Sequence, residues 1–349
     1  PFFSNLLPEG HLRNYLAKRA GVKPEREFFL LAILGSDLPG AVTVRPGSEE
    51  EESSPPGSAE EGVSPESDSD QTFRFSLAGV QLKFSAIVES SGGLTIPAGG
   101  TGGSWIVKLP STRFEAVPEN EHVILQLARR AGIEVAEARL IDLDAIQGLP
   151  GDLGRLDGRA LALSRFDRSG WGERIHMEDL AQVFGVFPES KYEGRSYANL
   201  AGVIWAECGP ESTYELVRRL AFCVLTGNAD MHLKNWSLLY PKSDGPKLAP
   251  AYDLLSTVPY LPEDRLALSL GDSRSINAIT KDQVRKLADR ARLPVNPLWE
   301  IVCETAERTM ESWQQLDERT LLPDWIRDAV DRQIKTAGQE QIVGDLSGG

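Results

Sequence analysis

The sequence has only three cysteines, no long apolar run and no secretory signal segment. Cys208, Cys223 and Cys303 are odd in number and lack metal-ligand spacing, which argues against a disulfide framework and indicates a reducing compartment. The longest apolar run, at residues 28–35, is too short to cross a bilayer. We therefore expect a cytoplasmic protein with no membrane partner, whose cysteines are buried as small hydrophobic residues.

Basic and aromatic residues are both absent from residues 46–71, which carry nine acids and much of the net charge of −14. A segment rich in Ser, Pro, Gly and Glu cannot bury enough apolar surface to offset the entropy of ordering it. We predict a disordered acidic insertion, either a solvated linker or a phosphorylation target. The rest of the chain is only mildly acidic, which argues against a broad phosphate-binding face but leaves room for a local basic patch.

The order of predicted elements is strand-rich followed by helix-rich. Helical periodicity predicts two short helices before the insertion, and alternating residues after it predict strands around one further helix. From about residue 176 onward the pattern is mainly helical and is interrupted by one hairpin. At 349 residues, this order is typical of an α+β chain with two lobes, which binds its ligand in the crevice between them.

Short polar side chains crowd into "LTGNADMHLKNWSLLY", residues 225–240. A predicted hairpin that starts at Asn235 would bring Asp253 close to it, on the same side as Asp230. Two carboxylates and an amide oxygen suit Mg²⁺ and can orient a hydroxyl nucleophile. The alternative is a helix cap followed by a turn, which Asn and Asp form routinely.

The spacing of Asp230 and Asn235 equals that of the protein-kinase catalytic loop, and Asp253 occupies the position of the later metal-binding Asp. Upstream, Lys108 lies on a predicted central strand, where an ammonium needs an anion, and the next helix contains Glu121. A strand Lys paired with a helix Glu is the small-lobe arrangement of kinases, although an isolated strand Lys is often a solvated edge residue. We therefore predict phosphoryl transfer, with Asp230 as base, Asn235 and Asp253 as Mg²⁺ ligands, and Lys108 as the phosphate-binding cation.

Several blocks, taken together, resemble the HipA family of bacterial Ser/Thr kinase toxins. They include "SLAGVQLKFS", "WIVKLP", "SRFDR", "GNADMHLKNWSLLY" and "PAYDLLS", in the order of that family, and the likeness runs from the first residues to about residue 260. The resemblance implies an α+β, two-lobed, protein-kinase-like fold. Its expected segments are an N-terminal helical part of the small lobe (1–45), the acidic insertion (46–71), an ATP-binding small lobe (72–168), a helical catalytic lobe (169–335) and a flexible tail (336–349).

The resemblance also implies how ATP is bound. The phosphates would lie over residues 78–83, and adenine would lie at a hinge where Ser164 replaces a common Glu and only a backbone contact is needed. Ser76 matches the family's autophosphorylated Ser, the alternative being an ordinary strand-end hydroxyl. The implied ATP-binding residues are Ala78, Gly79, Val80, Gln81, Leu82, Lys83, Lys108, Glu121, Ser164, Arg165, Phe166, His232, Leu233, Lys234 and Tyr252.

The function implied is that of an ATP- and Mg²⁺-dependent toxin kinase of a type II toxin–antitoxin system. It would phosphorylate a translation component, an aminoacyl-tRNA synthetase, and cause growth arrest or persistence. A HipB-like helix-turn-helix antitoxin would inhibit it, and the kinase would associate with DNA only indirectly, through that antitoxin. The resemblance implies a further N-terminal subdomain before "FFSNLLPEG", so we expect the chain to be either trimmed or HipT-like, with that subdomain as a separate small protein. Two alternatives stay open: a small-molecule phosphotransferase that uses the same groups, and a non-catalytic scaffold for the antitoxin and DNA.

Overall fold

A computed structural model describes residues 1–45, 81–88, 93–97, 103–151, 153–169 and 173–343. The acidic insertion, 46–71, lies outside the described residues. So do four of the predicted site residues, Ser76, Ala78, Gly79 and Val80.

Three short helices open the chain, and they contact both lobes of the molecule. They are α1 (Phe2–Leu6), α2 (Gly10–Arg19) and α3 (Glu27–Leu34). The Asn5 side-chain amide donates to the Val186 carbonyl in the helical lobe, while the Tyr15 ring packs against the Phe84 ring in the strand-rich lobe. The segment expected to belong to the small lobe therefore bridges the two lobes.

Six strands form the sheet of the first lobe, in the order β4-β6-β3-β1-β2-β5. Their bounds are β1 Lys83–Val88, β2 Leu94–Thr95, β3 Trp105–Lys108, β4 Ala138–Asp142, β5 Ile146–Gln147 and β6 Arg159–Ser164. The strand β3 pairs antiparallel with both β1 and β6, which confirms that Lys108 lies on a central strand. Helix α4 (Val117–Arg130) begins with Pro118 in its first turn and packs against β6 and β4.

The second lobe is mainly helical around a large apolar core that includes Leu216, Phe222, Trp236 and Trp313. Its helices are α5 (Leu180–Val183), α6 (Tyr197–Thr226), α7 (Lys281–Ala291), α8 (Val295–Gln314) and α9 (Asp324–Ile334). The range of α6 contains the two helices predicted within 196–227, which are separated at Gly209, where φ is 79° and ψ is −172° and the backbone is not helical.

Two strand assignments in this lobe correct the predicted pattern. His176–Asp179, expected to be helical, forms β7, which pairs with β8 (Ser237–Tyr240), and β8 pairs with β9 (Lys247–Leu248). A second hairpin, β10 (Arg265–Leu270) with β11 (Ser273–Ser275), was not predicted. Strand β7 depends on a partner strand distant in sequence, and the β10–β11 hairpin contains a register shift. Local periodicity reveals neither feature.

Two smaller expectations also change. The segment expected to be a flexible tail from residue 336 continues α9 as a π-helix, Lys335–Val343, in which Ala337 and Ile342 are buried. Of the cysteines, only Cys223 is fully buried, whereas Cys208 and Cys303 are half-buried. In the part of the chain that the structure describes, no helix is both long and apolar enough to span a bilayer.

Candidate active site

A cleft of about 430 Å³ lies between the six-stranded sheet, the N-terminal helices and the helical lobe. The structure brings many of the predicted site residues to its walls: Gln81, Lys83, Lys108, Ser164, Arg165, Phe166, His232, Lys234, Asn235, Tyr252 and Asp253. Four others do not line it. Leu82 packs against the sheet core, Leu233 is fully buried, Glu121 lies behind Lys108, and Asp230 borders a neighbouring concavity.

Lys108 joins the two lobes through its ammonium group. It donates to Glu121 Oε1 on α4 at 2.6 Å and to Asp253 Oδ1 from the helical lobe, and its side chain is almost fully buried. Burial would lower the pKa of Lys108, but the carboxylates of Asp253 and Glu121 raise it. Burial would likewise raise the pKa of Asp253, yet the ammonium groups of Lys108 and Lys83 hold it well below its usual range. Lys108 and Asp253 are therefore ionised at neutral pH, as phosphate and metal binding require.

Asp253 is held in an unusual backbone conformation. Its φ is 53°, in the left-handed region. Gly, Asn and Asp enter this region most readily, and other residues do so at a cost in free energy. Next to it, the Tyr252 hydroxyl donates to the Lys234 carbonyl at 2.9 Å, and the Tyr252 ring lies 5.5 Å from the Phe166 ring at the hinge. The residue before Asp253 is thus anchored both to the loop that contains Lys234 and to the hinge.

Asn120, which sequence reasoning missed, fastens α4 to the segment that follows Asp253. Its amide donates to the Ser256 carbonyl at 2.9 Å and accepts from the Ser256 backbone N–H at 3.0 Å. Asn120 is fully buried, and it directly precedes Glu121. These two bonds therefore fix the distance between the helix that carries Glu121 and the loop that carries Asp253.

We expect Asn120→Ala to lower the free energy of unfolding by about 3 kcal/mol, because the backbone N–H and C=O of Ser256 would then lose the hydrogen bonds to Asn120. Chemical denaturation followed by circular dichroism measures this loss. As a control, Gln126→Ala on the same helix changes a half-buried side chain and should stay within about 0.5 kcal/mol of the wild type. Equal losses in the two variants would show that the Asn120 bridge is not a specific fastening.

The loop from Asn228 to Asn235 is shaped by its own polar side chains. Helix α6 ends at Thr226, and the next residue, Gly227, has a φ of 72° that lets the chain turn away from the helix axis. The Asn235 side-chain amide donates to the Asp230 carbonyl at 2.7 Å, and the Tyr192 hydroxyl donates to Asp230 Oδ1 at 2.7 Å. The hydrogen bond of Asn235 uses its amide nitrogen, so its amide oxygen is the atom suited to a metal ion.

The hinge backbone is partly engaged within the protein. The Ser164 N–H donates to the Glu137 carbonyl at 2.9 Å, and the Arg165 N–H donates to the Ser104 carbonyl at 2.8 Å. A backbone donor to adenine would therefore have to come from Phe166. The Arg165 guanidinium forms buried ion pairs with Asp37 and Asp167, so its side chain stabilises the fold.

The donor chemistry of the cleft fits Mg²⁺. Asp253 supplies a carboxylate and Asn235 an amide oxygen to the same cleft, and Mg²⁺ commonly takes one or two protein oxygens while keeping water and phosphate ligands. Among the residues that the structure describes, no group of three His, Cys, Asp or Glu could form a self-sufficient metal site. The residues present thus suit a metal that arrives with its nucleotide.

Sequence reasoning assigned no role to two further cleft residues, Glu9 and Lys191. Glu9 lies in the loop before α2, and Lys191 lies in the segment between α5 and α6. Only the packing of the N-terminal helices against residues 186–191 brings them together, so no local pattern could have identified them.

Comparison with known proteins gives matches along most of the chain. Residues 75–313 match the family model of the HipA-like C-terminal domain, and residues 1–45 match that of the HipA N-terminal domain. Protein Y4dM of Sinorhizobium fredii is 50% identical over 339 residues, which cover 96% of this chain and 81% of that protein. The serine/threonine-protein kinase toxin HipA of Shewanella oneidensis is 30% identical over 338 residues, which cover 88% and 74%.

A solved structure has the same fold. The complex of Shewanella oneidensis HipA, HipB and operator DNA contains a chain that superimposes with a TM-score of 0.76 at 24% identity, covering 99% of this chain and 86% of that one. This match confirms the predicted α+β, two-lobed, HipA-like architecture.

Proposed function

Since the chain belongs to the HipA family, we propose that it is an ATP- and Mg²⁺-dependent serine/threonine protein kinase and the toxin of a type II toxin–antitoxin pair. The observation that carries this proposal is the position of Lys108, held between Glu121 and Asp253 in the cleft that Asn235 also lines. A strand Lys, a helix Glu and a metal-binding Asp in contact form the phosphate-binding part of a kinase.

Each residue then has a part in the reaction. Lys83 and Lys108 would bind the nucleotide phosphates, and Asn235 and Asp253 would hold the Mg²⁺ that accompanies the nucleotide. A Mg²⁺ ion held there would supply positive charge to offset the negative charge that develops on the transferred phosphoryl group. Asp230 accepts the proton of the incoming hydroxyl, and the Tyr192 hydroxyl orients its carboxylate at 2.7 Å.

Asp230 borders a second concavity of about 460 Å³, which is lined by Tyr192, Tyr260 and the segment 261–265. We assign this concavity to the protein substrate. The acceptor hydroxyl would then give its proton to Asp230 and attack the γ-phosphorus from the side opposite the leaving ADP oxygen, as an in-line transfer needs.

The remaining parts of the proposal concern partners. The Shewanella protein is found in a complex with HipB and operator DNA, which supports a HipB-like antitoxin as the partner here and contact with DNA through it. The resemblance supports an aminoacyl-tRNA synthetase as substrate, Ser76 as the site of autophosphorylation, and growth arrest or persistence as the outcome.

The test is transfer of ³²P from the γ-phosphate of ATP in the presence of Mg²⁺. We expect label on the protein itself and on a bacterial protein substrate, and Asp244→Asn in an exposed turn should behave like the wild type. Label that appears only on a small metabolite would favour the small-molecule phosphotransferase. No label on either would overturn the kinase proposal.

A further inference from the structure

The carboxylate of Glu9 enters the candidate active site from the N-terminal helices and is held by two lysines of the helical lobe. Lys191 Nζ lies 2.6 Å from Glu9 Oε2, and Lys234 Nζ lies 2.9 Å from Glu9 Oε1. Each oxygen of one carboxylate thus has its own ammonium group. All three side chains line the same cleft as Lys83, Lys108 and Asp253.

Lys191 is built into the site through its backbone. Its carbonyl accepts the Leu233 N–H at 3.2 Å, which ties it to the loop between Asp230 and Asn235. Its side chain is 10% exposed, and that of Lys234 is 12% exposed. Two nearly buried ammonium groups need an anion, because an unpaired buried charge is costly.

His232 gives an independent sign that a ligand belongs here. It is 2% exposed, and neither ring nitrogen has a hydrogen-bond partner among the residues that the structure describes. Burial and the positive charge of Lys191 hold the pKa of His232 well below its usual range, so the ring is neutral and can donate one hydrogen bond. A buried polar group of this kind is normally satisfied, so the ring has a hydrogen bond to offer a bound ligand.

The Glu9 carboxylate remains charged in this setting. Burial alone would raise the pKa of Glu9, but Lys234 and Lys191 lower it to about 2. The other contacts of Lys234 are weaker competitors: the Asn5 carbonyl at 2.8 Å carries no net charge, and the Asp179 carboxylate lies 3.8 Å away. Glu9 is therefore the principal counter-ion of both lysines.

We propose that Glu9 competes with phosphate in this cleft: its carboxylate occupies Lys191 and Lys234 whenever no phosphate is bound, and Lys191 joins the expected ATP-binding residues Lys234 and His232 in holding the terminal phosphate of ATP. A carboxylate and a phosphate present similar pairs of oxygens to two ammonium groups. Since both anions need the same lysines, they exclude each other. The N-terminal helices thereby set the affinity of the cleft for phosphate, because bound phosphate must displace the start of α2.

This inference deepens the proposed kinase function, but its test does not depend on transfer. Binding of inorganic tripolyphosphate without Mg²⁺ is measured by calorimetry on the full chain. Glu9→Gln should bind it about tenfold more tightly than the wild type, and Lys191→Gln about tenfold more weakly. The matched control is Glu27→Gln, which removes another ion-paired carboxylate of the same helices, one held by Arg13 at 3.2 Å and Ser4 at 2.6 Å. It should bind like the wild type.

The wild-type protein supplies a second measurement, which holds even if Glu9→Gln fails to fold. Saturating tripolyphosphate should speed hydrogen exchange of the amides over residues 5–16, since Glu9 is expelled and α2 loses its tie to the helical lobe. Unchanged or slower exchange there, or unchanged tripolyphosphate affinity in folded Glu9→Gln or Lys191→Gln, would overturn the inference. A protein that passes these tests but transfers no phosphate would refute the kinase proposal alone.

Discussion

Asp253→Asn is expected to lower ATP-dependent phosphoryl transfer by at least about 10³-fold while the protein stays folded. The exchange removes the charge that would hold Mg²⁺ and that lies against the Lys108 ammonium. Lys108 keeps its bond of 2.6 Å to Glu121, so the buried ammonium retains a counter-ion and the fold is spared. The same variant should lose its ability to arrest growth in cells.

Asn is the informative replacement because of the backbone at this position. Asp253 has a φ of 53°, which Asn tolerates better than other residues with a side chain. Asp253→Ala would add backbone strain to the loss of charge, and a loss of activity could then reflect altered structure. The matched control is Asp244→Asn in the exposed hairpin turn, which makes the same chemical change outside the cleft.

Activity and thermal melting must be read together. Transfer within tenfold of the wild-type rate in a folded Asp253→Asn protein would contradict the metal-binding role. Retained growth arrest without transfer would show that toxicity has another cause. Both variants should melt within a few degrees of the wild type, because neither leaves an unpaired buried charge.

The site residues that the sequence could predict are those marked by a local signal, either a charge in an apolar element or a known spacing. Lys108 was found because a charged residue on a central strand needs a partner, and the sheet indeed places it between β1 and β6. Asp230 and Asn235 are predicted because their spacing equals that of a known catalytic loop. In each case a short stretch of sequence carries the whole signal.

The residues that were missed are defined by contacts between distant parts of the chain. Glu9 meets Lys191 and Lys234 only because the N-terminal helices pack on the helical lobe. Likewise, β7 is a strand because Ser237–Tyr240, some sixty residues later, offers it a partner, whereas "HMEDLAQVFG" alone has a helical period. At β7, pairing with a distant strand outweighs the local helical period. At Glu9, packing between distant helices forms a charge cluster that no local period encodes.

Asp230→Asn should separate catalysis from nucleotide binding. Asp230 does not line the cleft of Lys108 and Asp253 but borders the neighbouring concavity, so its replacement leaves the phosphate contacts in place. We expect the transfer rate to fall about 10³-fold, since a positioned base contributes about 10²–10⁴-fold, while the Kd for Mg·ATP changes less than about twofold. Tyr192→Phe, which removes the hydrogen bond to Asp230 Oδ1, should cost about tenfold in rate and likewise spare binding.

Single-turnover transfer and equilibrium binding of Mg·ATP measure these two effects in Asp230→Asn and Asp253→Asn side by side. Asp253→Asn should weaken Mg·ATP binding and slow transfer together, because metal and nucleotide arrive at that carboxylate. Asp230→Asn should slow transfer alone, because it acts on the proton of the incoming hydroxyl. If Asp230→Asn weakened nucleotide binding as much as Asp253→Asn does, Asp230 would belong to the phosphate site, and the base would have to be sought elsewhere along the concavity of Tyr192 and Tyr260.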